Sequence, residues 1–164
     1  MFKNATFLSF YFADNQLFIN SETLVSNMAI IEDCQIIQLP MLKSQSGNIT
    51  FMNNGTDLPF EINRIFYIYD IPSGADRGAH AHKECHQLLV AVTGSFEVEV
   101  FDGYEKKLFY LNQPHLGLHI PPGIWASELN FSGSGICLAL ASRDYQEEDY
   151  IRDYAEYLSL KHEI

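Results

Sequence analysis

Two histidines separated by one residue, His80 and His82, stand inside a spaced run: Gly74, five residues, His80-Ala81-His82, four residues, Gln87, six residues, Gly94. On a β-strand, residues i and i+2 project from the same face. The two imidazoles are therefore expected side by side. Each titrates near pH 6.5 when unperturbed, so a neighbouring pair can bind a metal ion or move protons. Arg64, Arg77 and Lys83 lie close by in the sequence and suit an anionic small molecule.

The surrounding sequence reads as strands. Cys34–Leu39 is a short apolar run ended by Pro40, and Gly47-Asn48 leads into Ile49–Met52. Residues 64–69 (RIFYIY) are β-branched and aromatic and stop at the turn cluster Asp70–Gly74. Residues 87–93 (QLLVAVT) are nearly all apolar, as expected of a strand buried on both faces. Phe96, Val98 and Val100 alternate with Glu97 and Glu99, the pattern of a half-buried strand, and Asp102-Gly103 predicts a hairpin turn. Segments 108–111, 116–120, 126–129 and 136–141 complete a series whose regular spacing predicts a β-sandwich or barrel. Only 147–160 has a helical pattern, with Ile151, Tyr154 and Leu158 on one face.

Composition excludes several functions. The chain has 164 residues, 47% of them apolar, and a formal charge of −11. Such a charge disfavours nucleic acid and anionic membranes as partners. No apolar run reaches the ~18 residues of a membrane span. Three cysteines without CxxC spacing argue against a disulfide scaffold or zinc ribbon and point to a reducing, cytoplasmic setting. Residues 1–27 show no clean period and are expected to be an N-terminal extension of uncertain order, followed by a single domain over 28–164. The stretch Lys3–Ala13 has a faint signal-peptide character, but Asp14, Asn15 and Gln16 follow where small residues would be needed.

The spacing around the histidines resembles the first motif of the cupin superfamily, with Gln87 in place of its Glu. Pro121-Pro122-Gly123 and Asn130 resemble the second, with Ala126 in place of its His. The resemblance implies an all-β, cupin-type jelly roll with a short C-terminal helix. Cupins that hold a metal use all four of those ligands, and two neutral nitrogens alone make a poor divalent site. The expectation is therefore no metal and no cofactor, with Glu84, His86, Gln87 or His119 the residues that could substitute for the missing ligands.

Residues 64–83 (RIFYIYDIPSGADRGAHAHK) resemble one cupin family more closely, the WxcM-like 3,4-ketoisomerases of TDP-4-keto-6-deoxyglucose. The likeness rests on Tyr67-Ile68-Tyr69 and on 77–83 (RGAHAHK), and continues through Trp125, Leu140–Ser142 and Asp149–Tyr154. It implies movement of a ketone from C4 to C3 by proton transfer through an enediol, a task that suits two imidazoles. His82 is expected to carry the C3 proton to C4 and His80 to relay protons among sugar oxygens, though the sequence leaves open which does which. The resemblance further implies that Tyr69 donates to a sugar oxygen. Arg77 would bind the diphosphate or orient a hydroxyl, and Trp125 would line the pocket or pack in the core. It implies a homodimer with exchanged N-terminal strands, and cytoplasmic synthesis of deoxyamino sugars for surface glycans. The two alternatives are a non-catalytic sugar-nucleotide-binding cupin and a metal-dependent cupin enzyme.

Overall fold

The computed structural model describes residues 29–162. The expected extension over 1–27 lies outside them. Twelve strands run in chain order: β1 (Gln35–Gln38), β2 (Met41–Ser44), β3 (Gly47–Thr50), β4 (Arg64–Ile68), β5 (Arg77–His82), β6 (Gln87–Thr93), β7 (Phe96–Phe101), β8 (Lys106–Leu111), β9 (Leu116–Ile120), β10 (Trp125–Leu129), β11 (Ile136–Ala141) and β12 (Tyr150–Ile151). Among the described residues one α-helix, α1 (Tyr154–His162), follows β12.

Ten strands form two five-stranded sheets. One has the order β1-β9-β6-β11-β4 and the other β12-β5-β10-β7-β8, with β2 and β3 forming a separate hairpin. All pairings are antiparallel. The inner faces pack a shared core of Leu89, Ala91, Phe96, Val98, Val100, Leu118, Ile120, Ala126 and Ala139. This is the jelly roll of the cupin fold.

The strand patterns explain the layers. Along β6, Leu89 and Ala91 face inward, while Leu88 and Val90 join an outer cluster with Leu39, Leu58 and Phe60. The run is thus buried on both faces over 87–91, as its composition predicts, while Val92 and Thr93 at its end are exposed. Along β7 the valines enter the core and the glutamates face out. Asp102 closes the β7–β8 connection by accepting the backbone N–H groups of Tyr104 and Glu105 at 2.9 and 2.8 Å.

The expected helix over 147–160 is corrected. A 3-10 turn occupies Glu147–Asp149, Tyr150–Ile151 form β12, and α1 begins only at Tyr154. Tertiary pairing overrides the helical period here. Tyr150 and Ile151 pair with His82 and Ala81 on the edge of β5, and Ile151 fills a cluster with Ala81, Phe101, Trp125 and Tyr157. Asp153 then caps the helix, its side chain accepting the Glu156 N–H at 2.8 Å. The helix buries Tyr157 and Lys161 most deeply; of the expected face, Ile151 is buried from β12, Leu158 is half-buried against the same cluster, and Tyr154 is exposed. The Tyr157 hydroxyl donates to Phe101 O at 2.7 Å, fixing the helix on the outer side of the second sheet.

Candidate active site

Strand β5 carries an irregularity that shapes the site. Its register with β10 shifts so that Ala126 faces His80 while Ser127 faces Gly78, leaving Ala79 as the extra residue. Both Gly78 and Ala79 have positive φ, +82° and +62°. For Gly78 this is unstrained, whereas a left-handed alanine costs about 1–2 kcal/mol. Such bulges re-aim the side chains that follow them. Here the next residue is His80.

The two imidazoles meet as their spacing predicts. His80 Nε2 lies 3.3 Å from His82 Nε2, and their rings pack edge to face at 5.0 Å. His82 Nδ1 lies 2.7 Å from Asp149 Oδ2, and Asp149 Oδ1 accepts the Glu84 N–H at 2.8 Å. These contacts fix the protons. A carboxylate accepts, so His82 carries its hydrogen on Nδ1 and presents a lone pair at Nε2. His80 must then donate from Nε2, which leaves its Nδ1 as an acceptor. That Nδ1 is buried without a hydrogen-bond partner among the described residues. Burial pushes both rings down in pKa. His80 falls to about 4, through desolvation and then the charge of His82. His82 is also lowered by burial, with the Asp149 bond opposing the shift. Both are neutral at pH 7, and of the two rings His82 is the one with a carboxylate hydrogen-bonded to it, Glu147 acting on His80 only from a distance.

Tyr150 lies across the pair, its ring centroid 5.1 Å from His80 and 4.3 Å from His82. Arg152 stacks 4.2 Å above Tyr150 and is held by Glu147 at 2.6 and 3.0 Å. Arg64 reaches the Tyr150 hydroxyl from the other side at 3.3 Å.

His80 opens onto a cavity of about 890 Å³, which Arg77, Gln87, Glu128, Arg152 and Tyr69 also line. Gln87 points inward on β6, where the cupin Glu would stand, and Ala126 occupies the inner position of the missing His. Arg77 lies on the cavity wall as expected. Tyr69 stands just beyond the end of β4, 61% exposed, at the rim, so the aromatic touching the imidazoles is Tyr150 and not Tyr69. Trp125 is absent from the cavity lining. It faces the opposite side of β10, against Tyr154 and Tyr157 at 5.1 and 5.3 Å, which is the packing alternative. His82 itself is 5% exposed and sits behind His80.

A divalent ion fits this donor set poorly. His82, Cys85 and Asp149 bring ligand-type atoms within 4.8 Å of one another. The His82 and Asp149 atoms, however, are 2.7 Å apart in a hydrogen bond. Two ligands on a tetrahedral zinc with ~2.0 Å bonds stand about 3.3 Å apart, so the pair would have to separate. Of the substitutes, His86 and His119 bond each other at 3.0 Å beside Phe60, in the outer layer, and Glu84 pairs with Arg143.

Asp149, Tyr150, Arg152 and Glu128 are the site residues that spacing did not single out. Asp149 and Tyr150 arrive only because β12 pairs with β5, a contact across 67 residues of sequence.

Residues 32–162 match the family described as FdtA, WxcM-like, C-terminal. The chain belongs to this family. It is 33% identical over 123 residues to the TDP-4-oxo-6-deoxy-α-D-glucose 3,4-oxoisomerase of Aneurinibacillus thermoaerophilus, covering 75% of this chain and 88% of that one. Among solved structures, it resembles the sugar 3,4-ketoisomerase QdtA of Thermoanaerobacterium thermosaccharolyticum in complex with TDP. The identity is 32%, the TM-score is 0.79, and the match covers 82% of this chain and 98% of QdtA. A His-to-Asn variant of QdtA was solved with TDP-4-keto-6-deoxyglucose. A 3,4-ketoisomerase from Helicobacter canadensis is 41% identical with a TM-score of 0.76, over 79% of this chain and 97% of that one.

Proposed function

We propose that this WxcM-like protein moves the ketone of TDP-4-keto-6-deoxyglucose from C4 to C3. The observation that carries the reading is the Asp149–His82–His80 chain at the wall of a cavity large enough for a sugar nucleotide. The C3–H bond breaks and its proton reaches His82 Nε2 through His80, which stands between His82 and the cavity. The electron pair forms C3=C4, and O4 gains a proton relayed by His80. In the second half O3 loses its proton, C3=O forms, and C4 takes the proton back from His82 by the same route. Electrons balance within the sugar, so neither a redox cofactor nor a metal is required. Asp149 supports His82 as the base by accepting from Nδ1, and His80 is the neutral donor that shares its Nε2–H with the sugar oxygens. Arg77 binds the diphosphate, with its guanidinium suited to two phosphate oxygens at once. Tyr69 at the rim contacts the ligand.

The same reading places the enzyme in the cytoplasm, in the synthesis of activated deoxyamino sugars for surface glycans. It acts as a homodimer. Ile65 and Tyr67 on the outer face of β4, with Leu42 and Ile49 of the β2–β3 hairpin, are exposed apolar residues that a second copy would cover.

The test is incubation with TDP-4-keto-6-deoxyglucose, followed by NMR of the product. A 3-keto sugar is expected, with the C4 configuration read from the same spectrum, and chelator treatment leaves the rate unchanged. Unaltered substrate, or a rate that collapses with the chelator and returns with one metal ion, would contradict the reading.

A further inference from the structure

Glu128 is the most conspicuous group in the cavity that the proposed proton transfers do not use. It lies on β10 opposite Arg77 on one side and Val98 on the other, and it is 4% exposed. Its Oε2 is buried with no hydrogen-bond partner among the described residues. An unpartnered buried polar atom is unfavourable, and native proteins keep few of them. The fold makes room for this one. A Cβ on Gly78 would collide with Glu128 Oε2, so the glycine that permits the bulge also clears space for the carboxyl group. One irregularity in β5 therefore aims His80 and admits Glu128.

The position of Glu128 indicates its ligand. Ala126 is the cross-strand partner of His80, and Glu128 lies two residues further along the same inner face. Two residues of strand span about 6.6 Å, close to the width of a hexose with its hydroxyls. We propose that Glu128 is a substrate-positioning residue that hydrogen-bonds a hexose hydroxyl on the side of the ring away from the His80–His82 pair. The inference rests on the ketoisomerase reading and adds the group that sets how the sugar lies. Burial raises the pKa of the carboxyl, opposed only in part by its own backbone N–H and then by the charge of Arg77, which favours a neutral acid able both to donate and to accept. Such a group matches a hydroxyl. An ionised carboxylate could also accept from a hydroxyl but would repel a diphosphate.

The test compares Glu128→Met and Glu128→Gln with the wild type in three measurements: kcat/KM on TDP-4-keto-6-deoxyglucose, Kd for TDP, and Kd for TDP-glucose. Glu128→Met is expected to lower kcat/KM about 10-fold or more, the effect of losing one hydrogen bond in a closed site. It should also erase the affinity that glucose adds to TDP and leave TDP binding unchanged. Glu128→Gln, which can still donate and accept, should recover most of the loss. The melting temperature of Glu128→Met should match or exceed that of the wild type, because an unpartnered polar atom has been removed. Equal weakening of TDP and TDP-glucose, unchanged turnover, or a lowered melting temperature with no loss of the glucose increment would overturn the proposal. A wild-type protein that binds neither ligand and leaves the keto sugar unaltered would fail the ketoisomerase reading itself and take this inference with it.

Discussion

The domain contains two pairs of touching histidines, and they differ in one respect that decides what each can do. His80 and His82 meet at 3.3 Å on the inner side of the second sheet, and His86 and His119 meet at 3.0 Å in the outer layer of the first. All four rings are lowered in pKa, first by burial. The inner pair has Asp149 behind it and a cavity in front. The outer pair has only Phe60 stacked against both rings, and Asp33 at a distance. A carboxylate that accepts from Nδ1 leaves a lone pair at Nε2 and shelters the proton that arrives there. A stacked phenyl ring does neither. Proximity of two imidazoles is therefore insufficient. The third group converts a packed pair into a base.

The comparison can be broken at several points. The largest effect is expected at His82. His82→Asn keeps the size and a polar tip but removes the base, and should lower kcat by about 10³-fold or more, assayed by product identity on the keto sugar. Near-normal ketone migration in this variant would show that His82 is not the base. Asp149→Asn should come next, with a loss of about 10²-fold, because an amide N–H facing Nδ1 forces the hydrogen onto Nε2. A loss below threefold in a folded variant would deny the carboxylate its role.

A smaller effect tests the outer pair through stability. A histidine whose folded pKa lies below its unfolded value stabilises the fold fully above about pH 6.5, and that stability is lost as pH falls toward the folded pKa. For His119 the folded value is about 4. Urea denaturation between pH 7 and pH 4 should therefore show declining stability in the wild type and a shallower decline in His119→Phe. At pH 7 that variant should isomerise the sugar within about twofold of wild type, since the outer pair takes no part in proton transfer. A large loss of turnover would erase the distinction between the pairs. Trp125→Phe is expected to cost stability through its contacts with Tyr154 and Tyr157 and to leave the affinity for TDP unchanged, which calorimetry would check.

The fold was legible where local pattern and final environment agree. The strands at 87–93, 116–120 and 136–141 fall where their apolar runs place them, because each is bounded by turns and buried over most of its length. β2 gives no such signal, as three of its four residues are exposed. The site was legible at His80, His82 and Arg77, which share one strand and hence a fixed spacing. Asp149 and Tyr150 lay within the family likeness but drew no role, because a two-residue strand pairing brings them in from a segment whose own pattern reads as helix. Trp125 and Glu128 show a further limit. Three residues apart on β10, they face opposite sides of the sheet, so Glu128 reaches the cavity and Trp125 takes the packing role, a parity that the family likeness did not reveal. The bulge at Ala79 likewise depends on strand register, which sequence spacing does not reveal.

The most direct test of the proposed wiring is the protonation of the two rings in solution. Nitrogen-15 NMR of the imidazoles at pH 7 should find His82 neutral with its hydrogen on Nδ1, His80 neutral with its hydrogen on Nε2, and His82 switched to the Nε2–H form in Asp149→Asn. A His82 ring that carries its hydrogen on Nε2 in the wild type, or that is doubly protonated at pH 7, would contradict the account.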